Sequence, residues 1–457
     1  MQVKRRMNIP RVMIAAASSG SGKTTITCGI LQALVNRGMK VASFKCGPDF
    51  IDPMFHERVI GTEAGNLDLF FTDPETTRYL FGRVAKDSDI SVVEGVMGFY
   101  DGSGGSSVKA SSYDLSCKLG IPVILVVDCK GMSVSAAAIV KGFAGFMDNN
   151  IKGVILNNMS EKLFVPIKEL IEREMNVRVI GYVPRVKDIM VESRHLGLVL
   201  PHEVGGLKDR LGRLADLLER TLDIDLLLQI AGSACSFEYI EPAIVHEPMK
   251  VRIGVAKDEC FCFIYRDNME LLERYGAEIA YFSPLNDKCL PPDIQGMILP
   301  GGYPELYAER LSTNAAMLDS IYRSINNGMP CMAECGGFMY LHERLEDHTG
   351  TYRKMAGVIK GNAFRTGKLS RFGYISVTPK NDGLLKKGRT IKGHEFHYWD
   401  STDCGNGCEA VRTTGERYEC MHHGESIAAG FPHLYYYSDP DTAYNFLLKC
   451  ASYKEKR

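Results

Sequence analysis

Cys335 closes the run Met329-Pro330-Cys331-Met332-Ala333-Glu334-Cys335-Gly336-Gly337, a β-prone stretch that passes directly into the helix-like Phe338-Met339-Tyr340-Leu341. Ala333 and Gly337, two positions either side of the thiol, are small. Small residues there let a strand and a helix cross closely, which exposes a nucleophile and aims the next backbone N–H at an oxyanion. The pattern predicts a nucleophile elbow, with Cys335 as the nucleophile and Gly336 as an oxyanion donor. A lone cysteine is most often a small buried hydrophobe; the elbow context is what carries the catalytic reading.

A second site opens the chain. Ala17-Ser18-Ser19-Gly20-Ser21-Gly22-Lys23-Thr24-Thr25 lies between a predicted strand and a helix running to about Asn36, with Gly38 as its stop. Backbone N–H groups at a helix N-terminus cradle phosphates, a lysine neutralises the outer ones, and a hydroxyl binds Mg²⁺. The ATP-binding candidates are therefore Gly20, Ser21, Gly22, Lys23, Thr24 and Thr25. Ala17 stands where such loops usually begin with glycine, a change that is tolerable if the position does not need positive φ.

Two acidic clusters follow: Lys45-Cys46-Gly47-Pro48-Asp49-Phe50-Ile51-Asp52, and Glu94-Gly95-Val96-Met97-Gly98-Phe99-Tyr100-Asp101-Gly102. Each comes just after a predicted strand, at the sheet edge where open α/β folds bind ligands. Asp49 and Glu94 are the candidates to hold, with Thr24, the Mg²⁺ that shields the phosphates while an anionic substrate approaches, and Lys45, Asp52 and Asp101 are candidates to contact the substrate. A single such acid would read as a solvated turn; two clusters at one edge favour a site.

The elements that must position these residues are those of parallel α/β sheets. Strands are predicted at Val12 to Ala17, Val41 to Lys45, Ile90 to Glu94, Val123 to Asp128, Val154 to Asn157 and Val179 to Val183. Leu207 to Leu228 reads as one helical run, after which the patterning lapses. A second α/β series begins at Val251 to Ala256 and continues through Ile279 to Phe282 and Met297 to Pro300. The expected division is a domain over 1–232, a linker over 233–249 and a domain over 250–457.

The 457 residues carry a formal net charge of −1, with 45% hydrophobic and 24% charged residues, the composition of a soluble globular protein of two or three domains. Near-neutral charge argues against nucleic-acid binding, which usually leaves a basic stripe. No apolar run approaches the ~20 residues that span a bilayer, so no membrane association is expected. The 14 cysteines show no regular framework, and a thiol nucleophile persists in a reducing compartment, so cytoplasm is the expected location.

Together the phosphate loop, Lys45-Cys46-Gly47-Pro48-Asp49, Glu94-Gly95-Val96-Met97-Gly98, Arg194-His195-Leu196-Gly197-Leu198, Gly301-Gly302-Tyr303-Pro304-Glu305 and Ala333-Glu334-Cys335-Gly336-Gly337 resemble the cobyrinic acid a,c-diamide synthase family. The resemblance covers nearly the whole chain. It implies an N-terminal P-loop parallel-sheet domain similar to dethiobiotin synthetase and a C-terminal α/β class I (triad-type) glutamine amidotransferase domain. It further implies amidation of two peripheral carboxylates of a corrinoid, a tetrapyrrole polycarboxylate, with ATP, L-glutamine and Mg²⁺. His433, in Gly430-Phe431-Pro432-His433-Leu434-Tyr435, matches the family's catalytic histidine, and Gly302 its second oxyanion donor. Triad-type glutaminases often carry Glu two residues after that histidine, where this chain has Tyr435; the site is read as a Cys/His dyad. Asn157 matches a residue that reads the nucleotide base, Arg194 and His195 would meet substrate carboxylates, and His394-Glu395-Phe396-His397-Tyr398 resembles a segment near the acceptor site. Cys404, Cys408, Cys420, His422 and His423 invite a zinc reading, but the Cys-x3-Cys spacing is loose and the resemblance implies no zinc.

Other macrocycles, hydrogenobyrinic acid or nickel sirohydrochlorin, remain alternatives within the family, as does the cobyric acid synthase type. A partitioning-type ATPase switch is the alternative of another class; such switches carry a second lysine early in the loop, where this chain has Ser18. A homodimer is compatible with the chain.

Overall fold

The computed structural model describes residues 4–185, 193–194, 197–198, 206–243 and 246–455, and the chain divides into two compact units, 1–243 and 244–457. Among the described residues of the first, seven strands form one parallel sheet. Their order is Glu63–Leu67, Val41–Cys46, Ile90–Glu94, Arg11–Ala16, Val123–Asp128, Ile151–Asn157 and Arg178–Val183. Parallel strands covered on both faces must be buried along their whole length, and Arg11–Ala16, Val41–Cys46 and Ile90–Glu94 are buried at every position. Arg11–Ala16 lies between Ile90–Glu94 and Val123–Asp128. The order of strands reverses there, which opens a crevice at their carboxyl ends. The phosphate loop and both acidic clusters follow strands that end at this edge.

The predicted strands of this unit are present within a few residues. Glu63–Leu67 is an addition that the sequence does not announce, because Glu-Ala-Gly-Asn-Leu contains no β-branched or aromatic residue; pairing with Val41–Cys46 holds it. The helical run expected over 207–228 is two helices, Leu207–Thr221 and Ile224–Gly232. Leu222 between them is extended, and the Asp223 side chain caps the second helix by accepting from the Leu226 N–H at 2.8 Å. Residues 233–249, expected as a linker, contain the strand Phe237–Ile240, which pairs antiparallel with Lys4–Met7. Phe237 and Tyr239 are buried, and the Arg11 guanidinium donates to the Cys235 carbonyl at 3.0 Å as well as to those of Ile9 and Leu119. Burial and hydrogen bonding thus tie this segment to the first unit.

The second unit is built on six strands in the order Ala277–Phe282, Val251–Ala256, Gly296–Leu299, Cys331–Glu334, Ile427–Gly430 and His422–His423. The first five are parallel and the last is an antiparallel edge. A five-stranded antiparallel sheet runs Arg417–Cys420, Cys408–Arg412, Arg371–Pro379, Ile391–His397 and His433–Leu434. Ile427–Gly430 belongs to one sheet and His433–Leu434 to the other. The short crossing between them delivers His433 from the strand that neighbours the nucleophile's own.

Candidate active sites

In the first unit the phosphate loop puts its positive φ angles on glycine, with Gly20 at 77° and Gly22 at 84°; Ala17 is not among the positive-φ residues, so its missing glycine costs nothing. Gly22 is the N-cap of the helix Lys23–Asn36. The Asn157 amide donates to the Ser21 carbonyl at 2.8 Å, and a side chain on Gly22 would collide with that amide. Asn157, expected at the base, therefore braces the loop.

Around the loop the charges converge. Thr24 Oγ1 donates to Glu94 Oε1 at 2.5 Å, and Lys45 Nζ lies 2.8 Å from the same oxygen. Lys45 also pairs with Asp52, and Asp49 Oδ2 stands 4.0 Å from its ammonium. Asp49 Oδ1 accepts from the Ile51 and Asp52 N–H groups at 2.8 and 3.1 Å, which fixes the turn into the helix Ile51–Phe55. Burial alone would lower the Lys45 pKa, but Asp52, Glu94 and Asp49 outweigh it and hold the ammonium well above its usual range. Burial, and then the Asp52 charge, push Asp49 up to about 7. Lys23 is lowered by burial and by Lys45.

Lys45 and Asp52, expected at the substrate, are buried and paired with each other, and Lys45 also with Glu94. Asp101 is exposed and serves its turn, accepting from the Gly98 N–H at 3.0 Å. Arg194 lies in the two-residue strand Ser193–Arg194, paired antiparallel with Gly197–Leu198, and the latter packs against the helix Ile51–Phe55. His195 lies outside the described residues.

The residues fit a hard divalent cation. Glu94 Oε2 is a buried carboxylate oxygen with no hydrogen-bond partner, Oε1 of the same carboxylate takes the Thr24 hydroxyl, and Asp49 shares the Lys45 ammonium with Glu94, all oxygen donors of the kind Mg²⁺ takes. His56, which the sequence reading missed, sits 3.8 Å from Glu94 Oε2 and is fully buried, with neither ring nitrogen hydrogen-bonded. No motif marks it; only the fold places it.

In the second unit the elbow is strained as the motif requires. Cys335 has φ 46° and ψ −103°, between the strand Cys331–Glu334 and the helix Gly336–Leu341. Its N–H donates to the Gly430 carbonyl at 2.8 Å and its carbonyl accepts from Met339 N–H at 2.9 Å. A side chain on Gly337 would strike the Leu299 carbonyl, and one on Gly336 would come within 2.9 Å of the Gly302 nitrogen. The two expected oxyanion glycines are thus in contact, and only residues without a side chain fit. Gly301 meets His433 in the same way: a Cβ there would lie 3.2 and 3.3 Å from Nδ1 and Nε2. Cys335, His433 and the Gly301-Gly302 turn thereby come together.

His433 is buried, and its imidazole stacks on His394 with centroids 4.9 Å apart and planes 17° off parallel. Burial, with His394 and His397 adding to it, keeps its pKa well below the usual histidine value. Burial also pushes the Cys335 thiol up. Burial thus disfavours charge on both groups, and the neutral imidazole is the form in which histidine acts as a general base. Glu334 approaches His433 Nδ1 to 3.8 Å and accepts from the Leu434 N–H at 3.3 Å; burial raises its carboxyl to about 8.

Two family models match, one to each unit. Residues 12–198 match the CobQ/CobB/MinD/ParA nucleotide binding domain, and residues 252–440 match the CobB/CobQ-like glutamine amidotransferase domain. The chain is 39% identical to the cobyrinate a,c-diamide synthase of Dehalococcoides mccartyi strain CBDB1, over 96% of this chain and 98% of that one. It is 38% identical to that of Caldanaerobacter subterraneus subsp. tengcongensis, over 97% and 99%, and 37% identical to that of Thermoplasma volcanium, over 99% of each.

The chain belongs to the cobyrinate a,c-diamide synthase family. As a member of the cobyrinate a,c-diamide synthase family it carries both units in one polypeptide, which sets aside the partitioning-type switch. Tyr435, at the position where triad-type glutaminases often carry Glu, donates its hydroxyl to Asp267 Oδ2 at 2.5 Å. Tyr265 stands against Tyr435 and His394, its ring edge-on to the first and its hydroxyl 3.2 Å from Nδ1 of the second. The His394 to Tyr398 segment thus lines the glutaminase side: His394 stacks on His433, and His397 stacks on Phe431 at 3.9 Å.

Proposed function

We propose that the protein amidates the a and c side-chain carboxylates of cobyrinic acid, using ATP to activate each carboxylate and glutamine to supply the nitrogen. Family membership makes it a glutamine-dependent ligase of cobalamin synthesis. The observation that carries the rest is the coexistence of two built sites in one chain: the Thr24, Glu94 and Lys45 cluster at a phosphate loop, and a left-handed Cys335 beside a buried neutral His433.

A carboxylate does not react with ammonia at neutral pH because its oxide is a poor leaving group. Transfer of the ATP γ-phosphoryl group makes an acyl phosphate, ammonia attacks the carbonyl carbon, and phosphate departs. The loop N–H groups and Lys23 hold the ATP phosphates. Mg²⁺ held by Thr24, Asp49 and Glu94 would shield their charge from the incoming anionic substrate. In the other unit Cys335 gives its proton to His433, and the thiolate attacks the glutamine side-chain amide. The Gly336 and Gly302 N–H groups receive the oxyanion. His433 returns the proton to the leaving ammonia, and water then releases glutamate from the thioester. All 14 cysteines are free thiols, in keeping with a reducing cytoplasm. Among the described residues no helix is long and apolar enough to cross a membrane.

Arg194, on a strand pair that packs against the helix after Asp49, is assigned to the macrocycle's other carboxylates. A well-formed charge-assisted hydrogen bond contributes roughly 1.5 to 3 kcal/mol. Arg194→Ala should therefore raise the KM for the macrocycle about tenfold or more, with those for ATP and glutamine nearly unchanged. Initial rates with each substrate varied in turn check this; an ATP defect instead would make Arg194 a nucleotide ligand.

The function itself is tested by incubating the protein with ATP, Mg²⁺, glutamine and, separately, cobyrinic acid, hydrogenobyrinic acid and nickel sirohydrochlorin. Mass spectrometry counts the hydroxyl-to-amino exchanges. Two exchanges on cobyrinic acid are expected; preference for another macrocycle overturns the substrate, and four exchanges on an already diamidated corrinoid overturn the reaction.

A further inference from the structure

The residue before the nucleophile is a buried acid whose task the elbow itself does not explain. Glu334 ends the strand Cys331–Glu334, registered on Gly430, and the residue is only 7% exposed. A carboxylate there opposes formation of the neighbouring Cys335 thiolate, because like charges in a buried site repel. An apolar or amide side chain would serve the elbow better if the elbow were its only task. The geometry shows a different one. Oε1 is anchored by the Leu434 N–H at 3.3 Å, and this places Oε2 3.8 Å from Nδ1 of the adjacent His433. The carboxylate is thus tied to the backbone of the histidine's own strand and directed at one ring nitrogen. Tyr435, two residues past the histidine, is turned to Asp267.

We infer that Glu334 is the positioning residue for His433, holding the Nδ1 side of the ring so that Nε2 serves the Cys335 thiol and stabilising the imidazolium that results. The inference rests on the Cys335/His433 reading of the site. In the step, the S–H bond breaks, its proton goes to Nε2, and its electron pair forms the bond from sulfur to the glutamine amide carbon. Burial raises the Glu334 carboxyl to about 8, so its charge is present in assays run at about pH 9, where Glu334 neither gains nor loses a proton in that transfer. Its negative charge beside the imidazolium repays its proximity to the thiolate, in the way that carboxylate–histidine pairs orient bases elsewhere.

Glu334→Gln keeps the shape and removes the charge. The expected result is a fall of about 10- to 100-fold in kcat for glutamine hydrolysis, with the KM for glutamine within about threefold of the wild type. Ammonia-dependent amidation should be unchanged. The pH midpoint for alkylation of Cys335 by iodoacetamide should rise, since the imidazolium–thiolate pair loses its partner carboxylate, and this outweighs the relief of the Glu334 repulsion, the smallest of the effects on the thiol. Unchanged glutamine hydrolysis, or a slower rate with the alkylation midpoint unmoved, overturns the inference. If thermal melting shows that the Gln variant is unfolded, Glu334→Asp is read in its place. It keeps the charge at longer reach, so hydrolysis must slow and the midpoint must still move upward; no movement overturns the inference there too. Cys335→Ser, run in parallel, separates the two levels. If it retains glutamine-dependent activity, the dyad reading itself fails; if it loses that activity while Glu334→Gln behaves as wild type, only the role of Glu334 fails.

Discussion

Cys335→Ser should abolish glutamine-dependent amidation, by at least ~10⁴-fold as for other lost covalent nucleophiles, while amidation with added ammonia continues. The two outcomes separate because the thiol supplies only the nitrogen. An alcohol is far less acidic and less nucleophilic than a thiol, and its shorter C–O bond leaves the oxygen out of reach in a site shaped for sulfur, so the acyl-enzyme forms far more slowly. Serine keeps the Cβ and so bears the same backbone angles, φ 46° and ψ −103°, which makes it a matched replacement. The ammonia route should accelerate as pH rises, since the unprotonated amine is the nucleophile. Parallel assays with glutamine and with ammonium chloride read both arms. Equal loss in both, with the variant folded, would make Cys335 a structural residue.

The second large effect is expected at Glu94. Its Oε1 receives both Thr24 and Lys45, and its Oε2 is buried without a hydrogen bond. Glu94→Gln keeps the volume but removes the charge that a cation on the ATP phosphates requires. ATP cleavage and amidation from either nitrogen source should fall by about 10²- to 10³-fold, the scale of one lost electrostatic stabiliser. Glutamine hydrolysis, housed in the other unit, should persist. Asp49→Ala should behave likewise. Phosphate release measured beside glutamate release makes the distinction; normal ATP turnover in both variants would remove these acids from the nucleotide site.

The parts of each site that could be read from sequence are those contained in one short stretch. The phosphate loop needs Gly20 and Gly22 for positive φ and Lys23 and Thr24 for charge and hydroxyl, all within a few positions. The elbow likewise carries its own steric reason in Ala333, Gly336 and Gly337. What escaped was assembled from distant segments. Glu334 meets the Leu434 N–H across 100 residues, and it was visible only as an unspecified position in the elbow. His56 reaches Glu94 from a helix with no motif. Glu63–Leu67 is a strand by pairing, not by propensity. The break at Leu222 depends on one Asp side chain finding one N–H. The linker expected before 250 failed to account for Phe237 and Tyr239, whose alternation is short but buries two rings.

The left-handed backbone at Cys335 also sets the evolutionary terms on which this position can change. A side chain held at such angles costs of order 1–3 kcal/mol, a cost retained because the thiol must stand proud of the turn. Glycine alone is free of it. Selection for reactivity and selection for stability therefore pull in opposite directions at one codon. In a lineage that came to draw its ammonia from outside, relaxed selection would favour drift to glycine at position 335, leaving an intact but silent elbow as the trace of the lost activity.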